Sequence, residues 1–304
     1  MHTTRSSVTV WKSAGMRLAV IVVLQALCLE PSRSEEPAFP QFNEEVSKQE
    51  SIYRSEGKSV PEGYVIDRSL SNYAEVLPSG FDRALAGLGP GDRWLDIGAG
   101  QGQAILDYYA PDFDLAYPEG RVRPGGKARA VALSIEDRRT ALWRQRTASL
   151  LPDQVQYLFN KRLREYSGEE LGKFQVITDV YGGFSYTANL SLFVEKVLGL
   201  LVLNGGFYSL LQAVHLEDGK DHLYRPEPVY LTEIIDAAGD DVKVCSWLKR
   251  TTCVKVTCES KSTWDSPTEL IHIQKVCDDV SVPALEPLHF EAGTPPVRRF
   301  RLTP

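Results

Sequence analysis

The residues with the clearest capacity for chemistry are 93–108, Arg-Trp-Leu-Asp-Ile-Gly-Ala-Gly-Gln-Gly-Gln-Ala-Ile-Leu-Asp-Tyr. They run from a short apolar stretch through a carboxylate and three alternating glycines into a segment of helical character. Gly98, Gly100 and Gly102 stand where a backbone must turn sharply out of a strand and let a ligand approach with no Cβ in the way, and Asp96 adds a fixed carboxylate at the strand's end. The chemistry predicted is the cradling of a nucleoside cofactor. The spacing excludes a dinucleotide fingerprint, which is G-x-G-x-x-G with its carboxylate about twenty residues on. Here the loop is G-x-G-x-G, Gln103 follows the third glycine, and Asp96 lies two residues before the first.

Leu95-Asp96-Ile97-Gly98-Ala99-Gly100-Gln101-Gly102 resembles the first motif of class I S-adenosylmethionine-dependent methyltransferases. The resemblance implies that Gly98, Ala99, Gly100 and Gly102 accommodate the methionine end and ribose of S-adenosylmethionine, while Asp96 steadies the amino group. It covers about residues 78–276. In the family an acidic residue commonly ends the second strand to hold the ribose hydroxyls; here Ser134 has that place and the nearest carboxylate is Glu136. Asn160, after the third strand, is the residue the resemblance assigns to the adenine. The segment Asp179 to Thr187 resembles the fourth motif.

Methyl transfer from a sulfonium is an in-line displacement, and an enzyme gains much of its rate by alignment in a dry site. A neutral nucleophile needs a base, and Asp179, at a strand end facing the expected crevice, is the best-placed carboxylate. Its other reading is a cap for the turn that follows. Tyr181, and Tyr186 beyond it, could orient an acceptor by stacking or hydrogen bonding. Two readings stay open: a methyltransferase acting on a small-molecule or otherwise unknown acceptor, and a protein that keeps the fold as a binding or structural module without transferring a methyl group. Ser134 and an export-like N-terminus favour the second.

Positioning these residues requires a regular scaffold. Apolar runs predict strands at 93–97, 128–133, 155–159, 174–178 and 204–211, alternating with helices at 80–88, 103–110, 135–150 and 191–203. That alternation demands an α/β, doubly wound, mostly parallel sheet with helices on both faces. The resemblance adds seven strands, a Rossmann-like methyltransferase fold with an antiparallel last strand. Residues 230–238 read as helix, and 242–248, 253–258 and 270–276 as strand-like alternations of which the sheet needs two, the latter pair being favoured.

The chain of 304 residues divides into a signal peptide or N-terminal anchor (1–33), a flexible lead and helical cap (34–77), the methyltransferase-like domain (78–280) and a C-terminal tail (281–304) that carries no recognisable motif. Arg5, Lys12 and Arg17 precede an apolar core at 18–29 that is short for a membrane span of about 20 residues. This N-terminal segment is expected to engage a membrane or the export machinery, making the protein exported or anchored if the signal is used and cytoplasmic otherwise. A net charge of −6 excludes a global field for nucleic acid. Cys245, Cys253, Cys258 and Cys277 are an even set that permits disulfides; Cys253 and Cys258, five apart on a strand, point to opposite faces and so do not bond each other. His215, Glu217, Asp218, Asp221 and His222 are the only cluster of possible ligands, read as a polar loop, so no metal is expected.

Overall fold

Short apolar runs that alternate with amphipathic helices build the sheet. In the computed structural model, residues 68–110, 117–212, 231–261, 268–291 and 297–303 are described. All of them belong to the compact unit Phe39–Pro304. The N-terminal segment and the His215–His222 cluster lie outside the described residues.

Helices α1 (Leu70–Val76) and α2 (Phe81–Ala86) precede β1 (Arg93–Ile97), α3 (Gln103–Tyr109), β2 (Arg129–Leu133), α4 (Ala141–Thr147) and β3 (Val155–Leu158). A 3-10 turn at Leu163–Glu165 then leads to α5 (Gly168–Leu171), β4 (Phe174–Asp179), α6 (Gly183–Tyr186), α7 (Leu190–Leu200) and β5 (Leu201–Gln212). Beyond these come β6 (Leu231–Ile235), α8 (Val244–Leu248), β7 (Val254–Lys261), β8 (Thr268–Lys275), β9 (Leu285–Glu291) and β10 (Val297–Leu302). Seven strands form one sheet in the order β3-β2-β1-β4-β5-β8-β7. The first five run parallel, and β8 enters antiparallel between β5 and β7. This is the doubly wound sheet that the alternation demands, and the last two predicted strands are the ones that complete it.

Strand parity divides the core. Leu95, Ile97, Val131, Leu133 and Ile177 face α7, α8 and the C-terminal strands. Trp94, Ala130, Ala132 and Val176 face α1 to α4. The alanines of β2, all but inaccessible to solvent, let the helices on that side approach closely.

Three readings of the sequence are corrected. Residues 230–238, expected as helix, contain β6. Leu231, Ile234 and Ile235 satisfy helical spacing, but β-branched Thr232, Ile234 and Ile235 pair instead with β10 from the end of the chain. The predicted helix over 135–150 is confined to α4, because Thr140 caps it through Trp143 N–H at 3.2 Å and the preceding loop is tied by Glu136–Arg138 and Asp137–Arg139 ion pairs. The strand-like alternation at 242–248 is instead α8 over Val244–Leu248. In the tail, β9 and β10 join β6 in a three-stranded sheet, and Leu285, Phe300 and Leu302 complete the same core as Val197 and Trp247.

Disulfides Cys245–Cys258 and Cys253–Cys277 fasten α8 and the β7 start to the strands that close the large sheet. The second spans 24 residues, and the chain-entropy effect of closing such a loop is about 3 kcal/mol. Replacing Cys253 and Cys277 together by serine is therefore expected to lower the urea unfolding free energy by about 3 kcal/mol, with native circular dichroism retained.

Candidate functional site

The carboxyl ends of β1 to β4 gather the predicted residues on one edge of the sheet. Gly98, Gly100 and Gly102 have φ of 76°, 55° and 82°, so all three occupy the left-handed region in which a side chain strains the backbone. Gly98 and Ala99 donate their N–H groups to Leu133 O at 2.9 and 3.1 Å, which fixes the turn to the end of β2. A Cβ on Gly102 would come within 2.2 Å of the Trp143 ring, and one on Gly98 within 2.5 Å of the Gly182 Cα. The loop is thus wedged between α4 and the turn after β4. Ser134 follows β2 and Asn160 follows β3, and their own N–H groups bond Leu158 O at 2.9 Å and Ile135 O at 3.0 Å. Asn160 takes a φ of 67°, a conformation asparagine tolerates. Gly98 and Asn160 are exposed, and Gly100, Gln101, Ser134 and Tyr181 are half-buried, so this edge faces solvent.

Asp96 and Asp179 end adjacent strands on opposite faces. Asp96 registers with Thr178 and Ile97 with Asp179, so Asp96 points toward α1 and Asp179 toward α6. Both are wholly buried. The Tyr73 hydroxyl donates to both Asp96 oxygens at 3.1 and 3.0 Å, and the Thr178 hydroxyl donates to one at 2.7 Å. Trp94 Nε1 bonds Thr178 Oγ1 in turn at 2.8 Å, so that hydroxyl is oriented toward the carboxylate. Asp179 accepts the N–H groups of Gly182 and Phe184, each at 2.9 Å. These two bonds have the geometry of a turn cap. Loss of hydration pushes both carboxyls up to about 7, against the pull of these donors. Burial beside Asp96 raises Tyr73 as well.

Tyr181 has a φ of 53°, unfavourable for a bulky side chain, and its ring lies 4.6 Å from the guanidinium carbon of Arg68. Strain of this kind gathers at working loops.

Several residues were missed in the sequence. Tyr73 reaches Asp96 because Asp107, itself buried, accepts the Leu70 N–H at 3.2 Å and so docks α1 on α3. Tyr157 donates to Gly100 O and packs edge-on against Trp143, bracing the glycine turn from below. Arg298 holds the turn after β4 from the far side. Only the aromatic content of 155–159 and the alternation of 297–302 could have pointed to the last two. Among the described residues no cluster of His, Cys, Asp and Glu is suited to a metal, and no helix is long and apolar enough to cross a membrane.

No family model matches the chain, and no curated protein matches it. Solved structures do. The pyocyanin biosynthetic protein PhzM is 14% identical over 68% of this chain and 54% of its own, with a TM-score of 0.40. The N-methyltransferase NodS from Bradyrhizobium japonicum is 12% identical over 70% of this chain and 100% of its own, TM-score 0.40. A possible exported protein from Bordetella parapertussis is 13% identical over 67% and 72%, TM-score 0.40. The chain spans about half the length of PhzM. The class rests on the sheet itself: with β6 set aside in the small sheet, five parallel strands, an antiparallel strand and its outer partner, with the glycine turn after β1, define a Rossmann-like methyltransferase fold.

Gly102→Ala is expected to cost at least about 1–2 kcal/mol from the left-handed φ alone, and more from the Trp143 contact. Adding Trp143→Gly should recover part of the loss caused by Gly102→Ala in a thermodynamic cycle read by urea unfolding. The two raised carboxyls make a second prediction. They ionise near 3.8 when unfolded and about 7 when folded, so between those values the folded chain binds more protons and stability falls as pH rises. Unfolding free energy measured from about pH 4 to 7.5 should decline for the wild type and decline less steeply for Asp179→Asn.

Proposed function

We propose that the protein binds S-adenosylmethionine at the carboxyl edge of β1 to β3 and transfers its methyl group to an acceptor seated by the turn after β4. The observation that carries this reading is the run of three left-handed glycines between β1 and α3, open to solvent at Gly98 and Gly100. Residues at this edge fit the cofactor: Gly98, Ala99, Gly100 and Gly102 would receive its methionine end, Ser134 the ribose and Asn160 the adenine. When bound, the cofactor supplies an electrophilic methyl group. Asp96 already accepts from Tyr73 and Thr178 and is wholly buried, so a direct bond from its carboxylate to the cofactor's amino group would require the side chains that cover it to open. Otherwise Asp96 acts by holding α1 over the site. Asp179, buried and bonded to backbone, holds its turn in shape, and Tyr181 is the side chain of that turn best placed to orient an acceptor. Transfer then depends on alignment rather than on proton removal by a carboxylate.

Export of the protein is proposed as well, on the N-terminal pattern and the two disulfides, which persist in oxidising compartments. The second functional reading, a binding protein that transfers no methyl group, is favoured by the commitment of both buried carboxylates to internal partners.

Titration calorimetry of the full chain with S-adenosylhomocysteine tests the cofactor site. Binding is expected in the micromolar range. Gly100→Asp introduces a residue that visits the left-handed region more readily than alanine but sets a negative side chain in the turn, and should weaken the affinity at least tenfold at a smaller cost in stability than Gly102→Ala. No heat at millimolar ligand would eliminate the cofactor reading.

A further inference from the structure

Arg298 is the only arginine that the described part of the core encloses completely, at 0% exposure. It sits on β10, on the inward face shared with Phe300 and Leu302, and its guanidinium reaches out of the small sheet into the turn after β4. Nε donates to Thr232 Oγ1 of β6 at 2.8 Å, Nη1 to Thr187 O at 2.7 Å and Nη2 to Phe184 O at 2.7 Å. Phe184 and Thr187 bracket the carboxyl half of α6, whose amino end is held by Asp179 through Gly182 and Phe184. The turn is therefore gripped at both ends, by a carboxylate on its N–H groups and a guanidinium on its carbonyls. The guanidinium also favours the ionised form of Asp179, opposing the rise that burial imposes on that carboxyl. Taking a guanidinium out of water costs several kcal/mol unless such bonds satisfy it. A turn that needed only to connect β4 with α7 would not require it.

The grip continues to the glycine loop. Gly182 Cα lies where a Cβ on Gly98 would come within 2.5 Å, and a Cβ on Gly182 would come within 2.4 Å of Ile97 O. The two turns are thus in backbone contact, and a shift of one displaces the other.

From this we infer that Arg298 is a positioning residue: the small C-terminal sheet, through its guanidinium fork, sets the turn that carries Tyr181 and, through Gly182, the glycine loop against which it rests. The inference rests on the proposed cofactor site for its functional meaning, while its structural content stands apart from it. Lysine cannot replace the fork, because an ammonium presents a point charge to acceptors arranged for a planar group.

Hydrogen–deuterium exchange of the full chain, wild type beside Arg298→Lys and the milder Thr232→Val, tests it. Amides 182–187 are expected to exchange at least tenfold faster in Arg298→Lys and severalfold faster in Thr232→Val, with α3 and β2 unchanged. The affinity for S-adenosylhomocysteine should fall severalfold in both. Exchange at 182–187 equal to wild type, or acceleration spread evenly over the chain, would overturn the positioning role. Faster exchange with unaltered affinity would overturn its extension to the glycine loop. Should Arg298→Lys not fold, Thr232→Val decides alone, since it removes one hydroxyl and leaves the guanidinium in place. Absence of binding by the wild type itself would count against the cofactor reading, and the exchange result would still judge Arg298.

Discussion

Two carboxylates removed from water at the ends of neighbouring strands govern the arrangement of this site. A buried carboxyl without donors carries a large desolvation penalty, so each must recruit them, and each recruits a different part of the chain. Asp96 draws Tyr73 from α1 and Thr178 from β4, while Asp179 draws the backbone of its own turn. Because β1 and β4 pair with Asp96 opposite Thr178, the two demands fall on opposite faces and do not compete for the same partners. One residue of slippage in that register would exchange the faces and leave both sets unmet.

The helical side of the site is built outward from Asp96. Asp107 anchors the first N–H of α1, Ser69 caps that helix by accepting from Asn72 at 3.2 Å, and Tyr73 follows one turn in, with its hydroxyl directed at the end of β1. On the other side, α7 and the C-terminal strands supply the apolar wall, and Trp247 ties α8 to the chain through Pro283 O at 2.9 Å. The small sheet is consequently part of the core and not an appendage. Its β10 strand offers Phe300 and Leu302 to that core and Arg298 to the turn.

How much of this could be read beforehand follows from where each determinant lies in sequence. The glycine turn and β1 were legible because strand, carboxylate and glycines are contiguous, and their spacing alone excludes a dinucleotide loop. The parallel order followed from alternation of short apolar runs with helices, both local signals. The small sheet was hidden because β6 meets its partner more than sixty residues later. Leu231, Ile234 and Ile235 taken alone satisfy a helical period as well as a strand. Arg298 was overlooked for a related reason: an arginine in Val-Arg-Arg-Phe-Arg-Leu looks solvated, and only the alternation with Phe300 and Leu302 places the first of the three arginines inside. Tyr73 and Tyr157 act across the fold, on Asp96 and on Gly100 O; nothing near Tyr73 in sequence marks that use, and only the aromatic content of 155–159 points to Tyr157.

The distribution of backbone strain gives the last step. Left-handed residues at 98, 100, 102, 160 and 181 lie on one edge of the large sheet, at the ends of β1, β3 and β4, while Asn204 and Cys253 take the same conformation elsewhere in the fold. Glycine and asparagine take this conformation at little cost, but Tyr181 does not, and a strained tyrosine persists only where its surroundings over-determine it. Those surroundings are identifiable: Asp179 and Arg298 fix the turn behind it, Gly182 wedges against Ile97 and Gly98, and Arg68 covers its ring. Four separate segments of chain thus converge to hold one aromatic side chain beside an open glycine turn. No single contact accounts for the strained tyrosine: the carboxylate of its own turn, the guanidinium of β10, the end of β1 and the Arg68 side chain each remove a different way for that turn to relax.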